Sequence, residues 1–160
     1  MPQPVLARRS FLAGLAALAA TAALPPAARA QAGPAVHVLK DPNCGCCSAW
    51  MDILERAGFA VTSEASRGTA LFRAKAEAGV PQAMASCHTA FVEGYVIEGH
   101  VPAADISRLL AERPDAVGLA VPGMPYGSPG MGPESRREAY DVHLIRRDGT
   151  TEVFTSYEAA

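Results

Sequence analysis

The chain has 160 residues, 49% of them hydrophobic and 19% charged, which is the make-up of an ordinary globular protein long enough for one domain with a real core. Its formal charge is −2, from 14 basic and 16 acidic side chains with histidine neutral. That balance disfavours a nucleic-acid partner, which would be gripped through an excess of lysine and arginine.

Residues 1–30 read as an export signal and not as part of the fold. Arg8 and Arg9 form a basic pair, an Ala- and Leu-rich run continues to Leu24, and Ala28-Arg29-Ala30 offers small residues at a cleavage site after Ala30. The segment "RRSFL" resembles the twin-arginine export motif, while Ala7 before the pair and Ala13 beyond it keep the general secretory route open. The apolar stretch from Phe11 to Leu24 has 14 residues, short of the roughly 20 that a spanning helix needs. Removing the segment takes away three arginines and no acid, so the mature chain, residues 31–160, carries −5.

Along the mature chain, residues 35–40 ("AVHVLK") alternate as a short strand, and Asp41-Pro42-Asn43 breaks it with turn chemistry. Three cysteines follow in "DPNCGCCSAW". From Ser48, Trp50, Ile53, Leu54 and Ala57 recur at helical spacing, so Cys44, Cys46 and Cys47 straddle a helix N-terminus. Residues 59–64 predict a second strand, and Thr69 to Gly79 a second helix. "TAFVEGYVIEG" (89–99) predicts two strands meeting at Glu93-Gly94, and Pro102 opens a helix that Pro114 closes. Near the C-terminus, Asp148-Gly149 between two β-rich runs predicts a hairpin. This order, with C-x-x-C after the first strand, is that of an α/β, thioredoxin-like three-layer domain carrying an added C-terminal β-hairpin.

Cys44 and Cys47 form the C-x-x-C. At a helix N-terminus the free N–H groups and the dipole favour thiolate, which serves equally as a nucleophile for disulfide exchange and as a ligand for a soft metal. Cys46 bears on the choice, because a third thiol between an attacking and a resolving sulfur invites competing pairings. Cys87 in "SCHTA" precedes a strand expected near the first, so four sulfurs can converge. C-x-C-C is tight for three sulfurs on one tetrahedral zinc, and iron–sulfur ligands are ordinarily spaced by two or more residues. Cu(I) accepts two or three thiolates and also thioethers, and close sulfurs can bridge several copper ions. Two plain structural disulfides remain an alternative for an even cysteine count in an exported domain.

His88, adjacent to Cys87, is a candidate ligand; His100 in "EGHVP" is a weaker one. Met124 and Met131 lie in the Gly/Pro-rich "GMPYGSPGM", where little apolar area is available for a core, and so are candidate thioether ligands. His37 and His143 lie in predicted strands without partners nearby in sequence and are left out of the site. Trp50 is expected to pack the first helix on the sheet. No Ser-His-Asp order, phosphate-binding glycine loop or paired-carboxylate signature is present.

The segments "DPNCGCCSAW" (41–50), "SCHTAFVEGYVIEGHVP" (86–102) and "GLAVPGMPYGSPGM" (118–131) together resemble the CopG-type periplasmic copper-resistance proteins, over nearly the whole mature chain. The resemblance implies a thioredoxin-like fold in which Cys44, Cys46, Cys47 and Cys87 bind copper in a multicopper cluster, with a role in copper redox handling during resistance; that the copper is Cu(I) is read from the thiolate donors. His88, Met124 and Met131 lie in the matching segments and carry over as candidate ligands or supporting groups. No proline immediately precedes the strand that faces the cysteines, Pro81 lying several residues too early, which weakens general thiol exchange. The reading is a periplasmic copper-binding protein, with a copper oxidoreductase as an extension of it and a periplasmic thiol-disulfide oxidoreductase as the alternative. Its expected partners are copper ions and other periplasmic copper-handling proteins, with no nucleic acid and no membrane anchor after processing.

Overall fold

The structure is a computed structural model that describes residues 33–160. The export signal and its cleavage after Ala30 lie outside the described residues. Within the described residues no helix is long and apolar enough to cross a membrane.

Among the described residues, seven strands and three α-helices follow in the order β1 (Ala35–Lys40), α1 (Gly45–Arg56), β2 (Ala60–Ala65), α2 (Gly68–Glu77), β3 (His88–Val92), β4 (Tyr95–Glu98), α3 (Ala103–Glu112), β5 (Gly118–Ala120), β6 (Tyr140–Ile145) and β7 (Thr151–Tyr157). They form one sheet ordered β2-β1-β3-β4-β5-β6-β7. β1 and β2 are parallel, joined by the α1 crossover; β3 is antiparallel to β1 and to β4. The β2-β1-β3-β4 portion with its helices is thioredoxin-like, as the sequence predicts.

Alternation along the strands sorts side chains onto two faces. Ile97, Leu119 and Leu144 join Val36, Val38, Ala90 and Val92 against Trp50 and Leu54 of α1 and Ile106 and Leu109 of α3 in the larger core. Their neighbours Val96, Ala120 and Ile145 point the other way and pack with Val80, Ala78 and Met84 after α2. Helices therefore cover both faces, and the domain has three layers.

Two details differ from the sequence reading. The first helix begins at Gly45 and not at Ser48, because Cys44 caps it: its Sγ accepts from Cys47 N at 3.3 Å, taking the place of the usual oxygen at that position. β5 has no alternating pattern of its own, being the three-residue "GLA". It exists because β4 and β6 flank it, and a Cβ on Gly118 would collide with the Val96 backbone. Through β5 the predicted C-terminal hairpin, β6–β7, continues the central sheet.

Candidate metal centre

β1 delivers the chain to a turn held by Asp41, whose carbonyl accepts from Cys44 N (2.9 Å) and whose Oδ1 accepts from Asn43 N (2.8 Å). Buried Lys40 donates to the Asp41 carbonyl at 3.0 Å. The turn leaves Cys44 at the N-cap of α1 and puts Cys46 and Cys47 in its first turn, where unpaired N–H groups favour an anionic sulfur. Cys44 and Cys47 form a disulfide, with Cα atoms 5.4 Å apart. Cys46 and Cys87 are free thiols.

Cys87 stands at the mouth of β3. Its Sγ lies 3.5 Å from Cys47 Sγ, and Cys46 Sγ lies 3.5 Å from Cys44 Sγ, so each free thiol abuts one end of the disulfide. All four sulfurs lie within 4.8 Å of one another. A second set of donors shares Cys87: its Sγ is 3.3 Å from His88 Nδ1 and 3.1 Å from His100 Nε2, and these three also lie within 4.8 Å.

Both imidazoles are fully buried. His88 packs on Trp50 with ring centroids 4.4 Å apart and edge-on to His100 at 5.1 Å. Burial holds both below the ordinary histidine range, His88 well below it with His100 and Lys75 adding to the effect. Neutral imidazole is the form that ligates metal. His100 Nδ1 donates to the Pro129 carbonyl at 2.7 Å, which leaves the Nε2 lone pair facing Cys87. His88 Nε2 has no hydrogen-bond partner among the described residues, an omission that costs about 1–3 kcal/mol in a buried group. Burial, reinforced by Cys46, pushes the Cys87 thiol up to about 12. The lowered thiol pKa expected at the helix N-terminus does not extend to Cys87, which lies outside α1. Free thiol and neutral, buried imidazole nitrogens converging on Cys87 form a donor set that fits a soft metal ion.

These shifts make a pH prediction. Between the lowered folded-state values of His88 and His100 and the ordinary 6.5, the unfolded chain binds more protons, so stability falls as pH drops below about 6.5. Cys87 acts oppositely: the unfolded thiol loses its proton from 9.0 while the folded one keeps it to about 12. The thermal midpoint of the metal-free protein should therefore be highest between these limits and decline on both sides, the acid slope flattening in His88→Gln.

Met124 is 55% exposed on the rim of a cavity of about 410 Å³ whose lining includes Cys87, Leu71, Phe72 and Lys75. Met131 is partly buried, in a loop tied by Gly127 N to its own carbonyl at 3.0 Å. That loop presses on α1 at Gly130, where a Cβ would meet the Cys46 carbonyl and Trp50 N at 2.8 Å. His37 is exposed beside Glu64 and Thr62, and His143 lies on β6, so neither joins the centre.

Sequence reading undervalued His100. A turn at Glu93-Gly94 pairs Val92 with Tyr95 and Thr89 with Glu98, and extending that register by two residues sets Cys87 across from His100; counting back along the hairpin is the signal. It also passed over a buried group on the far face of the sheet: Lys75 Nζ meets Glu98 Oε1 at 2.5 Å and donates to Thr89 Oγ1 at 3.0 Å.

A search of the solved structures finds a copper resistance protein copG, form 1, 47% identical, with a TM-score of 0.73, the alignment covering 78% of this chain and 98% of that one. Form 2 matches at 47% identity over the same shares with a TM-score of 0.71. The chain belongs to the CopG family. A family model described as a protein of unknown function, DUF411, matches residues 84–131, the stretch from the approach to Cys87 through the methionine loop. No curated protein sequence matches the chain.

Proposed function

We propose that the chain is a periplasmic copper-binding protein that holds Cu(I) on thiolates and serves copper resistance or homeostasis, its residues 1–30 acting as the export signal and residues 31–160 as the working domain. The observation that carries the reading is the pair of donor sets meeting at Cys87. Once the Cys44–Cys47 disulfide is reduced, Cys44, Cys46, Cys47 and Cys87 offer four thiolates, and Cys87, His88 and His100 offer a second position, so a bridging Cys87 thiolate suits more than one Cu(I). Met124 and Met131 add thioethers from the adjoining loop. The name carried by the CopG relatives, copper resistance protein, supports copper over zinc.

Cysteine chemistry extends this to a redox role. With the Cys44–Cys47 disulfide reduced, its two thiols supply two electrons to two Cu(II), release two protons and close the disulfide again, leaving two Cu(I) for the remaining donors. Copper ions, and other periplasmic proteins that bring or remove them, are the partners. A second reading, a thiol-disulfide oxidoreductase without metal, draws on the disulfide at the α1 N-terminus, where Cys44 is the more accessible sulfur and Cys47 is buried.

Titrating the reduced domain with Cu(I) against bicinchoninate tests the first reading. More than one tightly held Cu(I) is expected, the four-sulfur position being lost in Cys44→Ser/Cys47→Ser while the position on Cys87, His88 and His100 remains; zinc retained in preference to copper would end the copper claim. Cys46→Ser separates the readings: if the copper site was added to a redox turn, copper binding falls while exchange through Cys44 and Cys47 persists.

A further inference from the structure

Glu98 is a fully buried carboxylate with no part in the donor sets above. By strand alternation it lies on the α2 face of the sheet, opposite to His88 and Trp50. It takes three hydrogen bonds: Oε1 from Lys75 Nζ (2.5 Å) and from the backbone N–H of Ser86 (2.6 Å), and Oε2 from Thr89 Oγ1 (2.7 Å). Lys75, 5% exposed, is the buried cation that balances it.

The Ser86 bond gives this group a consequence beyond the core. Ser86 adjoins Cys87 and precedes β3, so its amide would otherwise lack a strand partner. Its hydroxyl donates to the Gly123 carbonyl at 2.5 Å, next to Met124, and Gly123 N returns a bond to the Ala85 carbonyl at 3.3 Å. Gly99, with φ +72, admits this arrangement: a Cβ there would meet the Ser86 side chain and the Val121 carbonyl at 2.5–2.6 Å. The Glu98 backbone carbonyl accepts from Val121 N at 3.0 Å. One residue thus ties down the approach to Cys87 through its side chain and the start of the methionine loop through its backbone.

The geometry points to Glu98, balanced by Lys75, as the positioning residue of Cys87: it fixes the Ser86 amide from the far face of the sheet and so sets where the shared sulfur stands relative to Cys47 and His100. The consequence for copper rests on the function proposed above; the consequence for the thiol does not.

The test reads iodoacetamide alkylation of Cys87, resolved by peptide mass, in metal-free protein with the Cys44–Cys47 disulfide intact. Lys75→Met/Glu98→Leu removes the acceptor without stranding a buried charge. It should raise the alkylation rate several-fold and, in the reduced protein, lower Cu(I) affinity by roughly the 10–100-fold typical of lost outer-shell support. Glu98→Gln keeps one oxygen for Ser86 N but leaves buried Lys75 without its counter-charge, so it should lower the thermal midpoint while raising Cys87 alkylation less than the double variant does. Asp105→Asn is the control for plain destabilisation, because Asp105 is a buried carboxylate bound to Thr155 and Tyr157 away from the cysteines; it should lower the thermal midpoint and leave Cys87 alkylation within about twofold of the parent, the rate being local. If the double variant does not fold, Thr89→Val, which frees one carboxylate oxygen, should give a smaller rise above that control. Parent-like alkylation, or an equal rise in Asp105→Asn, overturns the proposal. Failure of copper binding by the unaltered domain would instead overturn the copper reading alone.

Discussion

In a Cys87→Ser variant, Cu(I) affinity should fall by more than the roughly 10–100-fold that loss of an outer-shell partner costs, and the number of bound ions should fall with it. Cys87 is the one donor common to the four-sulfur set and to the Cys-His-His set, so its removal disables both positions, whereas Cys46→Ser affects only the first. A serine hydroxyl is a hard donor of similar reach and a poor substitute for thiolate on Cu(I). Chelator competition on reduced protein measures the affinity, and metal analysis after desalting counts the ions. Equal losses in Cys87→Ser and Cys46→Ser would show a single four-sulfur site with no role for the histidines.

Trp50→Ala should destabilise the domain by about 3–5 kcal/mol, the range for emptying a large aromatic site in a core. That is a large part of the ~5–15 kcal/mol that holds a domain of this size folded. Trp50 is fully buried between α1 and the sheet, packs on His88, and donates from Nε1 to the buried Val101 carbonyl at 2.8 Å. Trp50→Phe retains most of the packing but strands that carbonyl, for a cost of about 1–3 kcal/mol. Urea denaturation at constant m-value reads both. Because the same ring supports His88, the alanine variant should also weaken copper binding; unchanged affinity in a folded Trp50→Ala protein would mean that His88 needs no support from α1.

Much of the fold is legible from local rules. β1 is bounded as its alternation and the Asp41-Pro42-Asn43 break require, the Glu93-Gly94 and Asp148-Gly149 turns each join a pair of neighbouring strands, and Pro102 precedes α3. These features depend on residues within a few positions of each other. β5 is not legible because three residues carry no periodicity; its strand character comes from the neighbours on either side.

The candidate centre divides in the same way. The sequence by itself determined that three thiols gather at one helix start, since Cys44, Cys46 and Cys47 span four positions between a strand and an amphipathic helix, and that a Cys-His pair opens a later strand. Only the tertiary structure decided that Cys87 meets Cys47 and that Lys75 and Glu98 brace Cys87 from behind, whereas His100 follows from Cys87 by the register of the β3–β4 hairpin. Those contacts join residues 12 to 40 positions apart. Spacing rules reach one turn of helix or one rung of a hairpin, whereas the pairing of β1 with β3 and the burial of a charge beneath them are properties of the assembled sheet.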